Sequence, residues 1–156
     1  MKLRLTAMAV LALAAVVPAS AQYAPAGDKI KTEWAEKIDV ENVWDVYPRP
    51  IMERADWVNL NGLWDYAILD KNSVAPGKYD GEILVPFAVE SSLSGVGRNL
   101  TDQQALWYKR EFDVPSKWSG KRVLLHFGAV DWQADVWVNG IKVGTHTGGY
   151  TPFGFD

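Results

Sequence analysis

An Asn-Gly pair between two alternating segments constrains the fold of this chain more than any other feature of its sequence. Apolar and polar residues alternate up to Val138, which is the period-two pattern of a β-strand with one face towards a core. Asn139 and Gly140 follow, and both tolerate the positive φ that a type I′ turn needs at its two central positions. Ile141 and Val143 then carry the return strand. The sequence therefore predicts a β-hairpin.

The stretch 146–153 follows this hairpin and has neither the period of a strand nor that of a helix. It combines a titratable ring at His146, a hydroxyl-bearing aromatic side chain at Tyr150 and two glycines between them. Flexible, polar connecting segments of this kind often carry binding residues. We interpret this loop as the rim of a binding site.

Further short apolar segments precede the hairpin, and turn-forming glycine and proline residues separate them. They lie at 63–69, 83–85, 106–114 and 123–127. Frequent short strands without a long amphipathic helix favour an all-β fold, built as an antiparallel β-sandwich.

Seven motifs occur in a fixed order between residue 47 and the end of the chain. They are YPRP at 47–50, WVNLNGLW at 57–64, ILVPF at 83–87, LWYKR at 106–110, FGAVD at 127–131, VWVNG at 136–140 and GGYTPF at 148–153. Together they resemble the N-terminal sugar-binding domain of family 2 glycoside hydrolases, the family of β-galactosidases, β-glucuronidases and β-mannosidases. The resemblance implies a jelly-roll, galactose-binding-domain-like sandwich over 47–156, which we expect to be incomplete at its carboxyl end.

The same resemblance implies that the chemistry lies elsewhere. Retaining hydrolysis needs two carboxyl groups roughly 5 to 5.5 Å apart, and in this family both are glutamates on a barrel that follows an immunoglobulin-like domain. The chain contains no Asn-Glu dipeptide, the local signature of the family's acid/base residue. We therefore expect no catalytic residue here. The chain would be inactive and aggregation-prone alone, and would serve an exported retaining exo-glycosidase of carbohydrate catabolism whose later domains are its partners.

The residues that the resemblance places near a terminal β-linked sugar belong to two loops, at 90–97 and 146–153. Within them, His146, Tyr150 and Glu90 are the candidate substrate-binding residues, because they offer hydrogen-bonding groups beside an apolar ring. Some β-galactosidases carry an acid in the second loop that helps to bind sugar and a cation. No acid stands between His146 and Tyr150, so we expect no metal site and no cofactor.

Simpler interpretations stay open for each of these residues. His146 and Tyr150 could pack against other domains, and Glu90 could be a solvated or capping acid. His126 fits a partly buried, hydrogen-bonded ring better than a metal ligand. Trp132 and Trp137 are candidates for an exposed platform, again with packing as the alternative. The chain as a whole could instead be a stand-alone secreted carbohydrate-binding module, or a docking sandwich that does not touch sugar.

The amino terminus has the pattern of a bacterial signal peptide. A basic start is followed by an apolar run and by Ala19-Ser20-Ala21, a small-x-small cleavage site before Gln22. We predict a signal peptide at 1–21, a linker or extension at 22–46, and a periplasmic or extracellular protein. The chain has no cysteine, which excludes disulfide bonds and a lipid-modified cleavage site.

The charge balance excludes two classes of partner. The sequence holds 16 Lys and Arg against 19 Asp and Glu, and removal of Lys2 and Arg4 would bring the net charge to about −5. Nucleic acids and anionic membranes attract concentrated basic surfaces. We therefore expect neither nucleic acid nor membrane as a partner.

Overall fold

The computed structural model describes residues 23–156, so the predicted signal peptide lies outside the described residues. Within this range every paired strand is antiparallel, and the only helices are short 3-10 turns, which confirms the predicted all-β class. The strands are β1 (Gly62–Asp70), β2 (Gly81–Val85), β3 (Gln104–Lys109), β4 (Leu125–Phe127), β5 (Gln133–Val138), β6 (Ile141–Thr147) and β7 (Phe153–Phe155). The 3-10 turns are Glu33–Lys37, Pro50–Met52, Ser92–Ser94 and Ser116–Trp118. None of the helices described has the length and hydropathy of a membrane-spanning segment.

The chain divides into two compact units, the first ending at Arg110 and the second spanning Glu111–Asp156. In the first unit, β1 is the central strand of a three-stranded sheet with the order β2-β1-β3. Ala67 on β1 and Ile83 and Leu84 on β2 are fully buried. Because neighbouring residues of a strand point to opposite faces, burial of both Ile83 and Leu84 means that β2 is covered on both faces.

Two asparagines fix the chain where it enters β1. The Asn59 side-chain amide donates to the carbonyl oxygens of Val43 (3.0 Å) and Trp44 (3.2 Å). Its own side-chain oxygen accepts from the Asn61 backbone amide at 2.9 Å. The asparagine pair therefore ties residues 43 and 44 to the start of the sheet.

The third strand is shorter than the sequence predicts. The alternation suggested a strand over 106–114, whereas β3 ends at Lys109, which pairs with Asp65. The next residue, Arg110, instead donates from its guanidinium group to the Leu63 carbonyl oxygen. The Arg110 side chain thus binds a β1 carbonyl group just beyond the last residue pair of the β1–β3 ladder. The first unit also ends at Arg110.

The second unit contains the predicted hairpin. Strands β5 and β6 pair with Val138 opposite Ile141, and Asn139 and Gly140 have φ values of 50° and 79°, as a type I′ turn requires. The ladder shifts register between Val136 and Trp137, which pair with Gly144 and Lys142. Val143 is therefore the extra residue of a β-bulge.

A second strand pair in this unit joins β4 to β7, with His126 opposite Gly154. Leu125 and Phe127 are half-buried, as are Phe153 and Phe155 on the facing strand. The Phe155 ring covers Gly144 on β6, where an added Cβ atom would overlap the ring carbons. Glycine is thus required at 144 by close packing.

Candidate functional site

The loop at the end of the hairpin is the centre of the candidate site in the second unit. The sequence predicts no regular structure for 146–153, but His146 and Thr147 complete β6 and Phe153 begins β7. The irregular segment is therefore 148–152. Its first residue extends the ladder by one bond, because the Gly148 amide donates to the Trp132 carbonyl oxygen at 2.6 Å.

His146 fastens this loop from the inside. Its Nε2 atom lies 3.2 Å from the Gly148 carbonyl oxygen and 3.2 Å from the Thr151 hydroxyl oxygen. Because a carbonyl oxygen only accepts hydrogen bonds, the bond to Gly148 requires the proton on Nε2. The ring therefore uses its Nε2 donor within the loop.

An aromatic stack supports the other side of that ring. The His146 ring lies 4.1 Å from the Phe153 ring at an interplanar angle of 13°. Phe153 stacks in turn on Phe127 at 4.8 Å and contacts Phe155 edge to face at 5.8 Å. The stack joins β4, β6 and β7, so the orientation of His146 is set by three strands.

Steric constraints explain why both residues 148 and 149 of the loop are glycines. Gly148 has a φ of 125°, and a Cβ atom there would lie 3.3 Å from the Thr151 hydroxyl oxygen. A Cβ atom on Gly149 would lie 2.5 Å from the Asp131 carboxylate oxygen. Asp131, the last residue of the FGAVD motif, therefore packs against the loop backbone.

Two aromatic side chains beside the loop 148–152 are exposed to solvent. Tyr150 is 96% exposed and Trp132 is 62% exposed, and the bond between Gly148 and Trp132 holds their segments together. Trp137, the other tryptophan of the hairpin, has the Lys142 ammonium group 5.7 Å from its ring. Trp137 is also exposed (43%), but Tyr150 and Trp132 are the more exposed rings, and the Asp131 carboxylate packs against the same loop.

Glu90 belongs to the first unit and is exposed there. It is the first residue of the loop 90–97, whose 3-10 turn Ser92–Ser94 has both serines buried. The charge of Glu90 also affects Tyr108. Partial burial of the phenol, and to a lesser degree the charge of Glu90, raises the pKa of Tyr108 to about 12. Glu90 as a ligand for sugar stays a prediction, as do His146 and Tyr150.

The second histidine of the sequence lies outside this site. His126 is exposed on β4, so the expectation of a partly buried ring is wrong. Its ring lies over Gly154, where a Cβ atom would come within 2.8 Å of Nδ1. Within residues 23–156, no group of three or more His, Cys, Asp or Glu side chains is arranged to hold a metal ion.

Comparison with known proteins gives consistent matches. Residues 97–156 match the sequence model described as glycosyl hydrolases family 2, sugar binding domain. A beta-glucuronidase of Paenibacillus borealis is 30% identical over 117 residues, covering 71% of this chain and 20% of that protein. A beta-glucuronidase of Canis lupus familiaris is 36% identical over 132 residues, covering 71% of this chain and 19% of that protein.

A beta-galactosidase of Thermoanaerobacter pseudethanolicus is also similar. It is 34% identical over 105 residues, covering 65% of this chain and 14% of that protein. The chain therefore spans a fifth or less of the length of the relatives that it matches.

Proposed function

Because this chain carries the sugar-binding domain of glycoside hydrolase family 2, we propose that it positions the substrate in an exported, retaining exo-glycosidase of carbohydrate catabolism. The substrate would be a glycoside with a terminal β-linked sugar. Of the three relatives described above, two are named beta-glucuronidase and one beta-galactosidase, so β-glucuronides and β-galactosides are the two substrate classes to compare first.

The observation that supports this role is the exposed aromatic rim beside the loop 148–152. The apolar face of a sugar ring packs well on an aromatic side chain, while its hydroxyl groups need a few fixed donors and acceptors. Tyr150 offers both a ring and a hydroxyl group, and Trp132 offers a second ring on the adjoining segment. The Asp131 carboxylate, which packs against the loop backbone, is an acceptor for sugar hydroxyls.

The residues predicted to bind sugar would then have different roles. Tyr150 would contact the sugar directly. His146 would act through the loop, since its Nε2 atom bonds to Gly148 and Thr151. Glu90 would supply an exposed carboxylate from the loop 90–97.

Catalysis itself is assigned to other polypeptide. The two glutamates of the retaining reaction would lie on a barrel domain that follows an immunoglobulin-like domain, as in the family that the sequence resembles. The chain described here would dock on those domains and narrow their pocket, and export would require cleavage of the signal peptide at 1–21.

Kinetics of the full-length protein test the role of the rim. For Tyr150→Ala, we expect KM for 4-nitrophenyl β-glucuronide or β-galactoside to rise about tenfold with kcat nearly unchanged, because about 1.4 kcal/mol of substrate binding would be lost. Ile141→Ala, which removes another exposed side chain of the same unit, is the control and should leave KM unchanged.

The other outcomes separate the alternative functions. Unchanged KM and kcat in Tyr150→Ala would favour a docking sandwich that does not contact sugar. Binding of glucuronides or galactosides by residues 22–156 alone, measured by isothermal titration, would favour a stand-alone carbohydrate-binding module. The exposure of Tyr150 and Trp132 is the observation that favours testing for a stand-alone carbohydrate-binding module.

A further inference from the structure

The segment 23–29, here called the N-terminal strap, is bonded along its length to the loop 90–97. The Ala26 amide donates to the Ser92 carbonyl oxygen at 2.8 Å, and the Ser92 hydroxyl donates back to the Ala26 carbonyl oxygen. The Tyr23 hydroxyl donates to the Leu93 carbonyl oxygen at 2.7 Å, and the Lys29 ammonium group donates to the Glu90 carbonyl oxygen. Four hydrogen bonds therefore connect two segments more than sixty residues apart in sequence.

Close packing accompanies these bonds. Gly95 and Gly97 have φ values of 80° and 64°, in the region that favours glycine. A Cβ atom on Gly95 would lie 3.2 Å from the Tyr23 ring, and one on Gly97 would lie 3.0 Å from the Ala26 methyl group. The half-buried Tyr23 side chain also has a raised pKa, caused by its burial. The strap and the loop thus fit each other sterically as well as through hydrogen bonds.

The loop has its own internal framework, centred on Ser94. This side chain is fully buried. Its hydroxyl lies 2.8 Å from the Ser91 carbonyl oxygen and accepts from the Val96 amide at 3.0 Å. The Arg98 amide donates to the Val89 carbonyl oxygen at 3.1 Å and closes the base of the loop. The backbone carbonyls of residues 90, 92 and 93 are the groups that the strap engages.

We propose that the N-terminal strap is a positioning element that holds the loop 90–97, and with it Glu90, in the conformation used for sugar binding. The inference rests on the proposed function, which places this loop at the sugar pocket. Tyr23 and Ser92 are positioning residues in this arrangement, since both act on backbone groups of the strap and the loop. Residues 23–29, which the sequence predicts to be part of a linker, would thereby influence substrate affinity.

The test compares variants of the full-length protein with an affinity tag at the carboxyl terminus, so that the strap keeps its native start. Tyr23→Ala removes the ring and the hydroxyl group, whereas Tyr23→Phe keeps the ring against Gly95 and loses only the bond to Leu93. Ile30→Ala is the matched control, because this fully exposed side chain lies directly after the strap.

Two readouts are measured on each variant. The first is the rate at which trypsin cleaves after the exposed Arg98, which reports opening of the loop. The second is the pair KM and kcat for 4-nitrophenyl β-glucuronide and β-galactoside. For Tyr23→Ala we expect cleavage after Arg98 to accelerate about tenfold and KM to rise about fivefold at nearly constant kcat, with Tyr23→Phe closer to the unmodified protein.

Each result decides one question. Unchanged cleavage after Arg98 in Tyr23→Ala would overturn the strap as an anchor of the loop, whatever KM does. Faster cleavage with unchanged KM would support the anchor and overturn the place of this loop at the sugar site. Equal changes in Ile30→Ala would overturn the specific role of Tyr23.

Discussion

At the scale of single residues, one imidazole nitrogen organises the loop 148–152. His146 Nε2 bonds to a backbone carbonyl and to a hydroxyl of the loop, while its ring face rests on Phe153. An imidazole can do both at once because it is flat, aromatic and able to donate in its plane. The aromatic stack and the loop therefore depend on the same side chain.

Replacement of His146 by phenylalanine separates these two contributions. His146→Phe keeps a flat ring for Phe153 and loses both bonds of Nε2, so we expect the free energy of unfolding to fall by about 1 to 2 kcal/mol. His146→Ala loses the stacking as well and should cost about 1 kcal/mol more. Urea unfolding of the full-length protein, followed by fluorescence, measures both.

The exposed His126 provides the control for this pair of variants. His126→Gln removes a ring from β4 that is open to solvent, and we expect a change below about 0.5 kcal/mol. If His146→Phe were as stable as the unmodified protein, the bonds to the loop would not contribute to folding.

At the scale of elements, an ion pair and a hydrogen bond cross the hairpin at the same carboxylate. Asp135 on β5 accepts from the Thr145 hydroxyl at 2.5 Å and lies 2.9 Å from the Lys142 ammonium group. These contacts hold the pKa of Asp135 below its usual value of 3.8, the hydrogen bond from Thr145 being the largest cause. The folded state therefore favours the charged carboxylate.

The lowered pKa of Asp135 makes the stability of the hairpin depend on pH in a known direction. Because the pKa is lowered in the folded state, the stabilisation is complete above the unfolded value and disappears as the pH falls through the lower folded value. Solvent screens the exposed pair, so Asp135→Asn should lower the free energy of unfolding by only about 0.5 kcal/mol at pH 7. At pH 2 the two proteins should unfold at the same urea concentration.

The exposed pair of Lys109 and Asp65 in the first unit serves for comparison, since its atoms are 3.9 Å apart. Lys109→Gln should change stability less than Asp135→Asn does. A difference between Asp135→Asn and the unmodified protein that persisted at pH 2 would contradict the role of the charge.

Several elements could be predicted from the sequence because their signals are local. The hairpin follows from Asn139 and Gly140, whose φ values are the positive ones that the turn needs. The strand at 63–69 was likewise placed almost to its ends. Alternation and turn chemistry act over a few residues, and such signals are readable without tertiary structure.

The end of β3 and the contacts of the candidate site could not be predicted in this way. The strand stops where Arg110 turns to the Leu63 carbonyl, 47 residues away in sequence. His146 was identified as a site residue, but its bonds within the loop depend on the close approach of the backbone at Gly148 and Thr151. The strap was missed as well, because its partners lie more than sixty residues away.

At the scale of the whole molecule, burial is unevenly distributed. Among residues 23–156, the buried hydrophobic side chains are Ala35, Val43, Ala67, Ile83, Leu84 and Val89, all in the first unit. The strands of the second unit present apolar rows that are at most half-buried. Small units without a closed apolar core are marginal in water.

We therefore expect residues 22–156, produced alone, to bind the dye ANS strongly and to associate at micromolar concentration. Ile51→Ser, at a position 95% exposed, should lower the ANS signal at constant circular dichroism. Ile83→Ser, at a fully buried position, should raise the ANS signal and cost about 3 kcal/mol of stability. A monomer that unfolds sharply without binding ANS would contradict this expectation.

The bulge at Val143 has a consequence for how the hairpin tolerates insertions and deletions over evolution. Every pair from Val136 and Gly144 to Gln133 and Thr147 would persist if this one residue were lost, because the facing strand has no counterpart for it. A deletion within β5, which has no extra residue, would instead shift its register with β6 by one residue and move its side chains to the opposite face of the strand. The loss of one residue is thus tolerated on β6, and the geometry of the loop 148–152 is inherited unaltered.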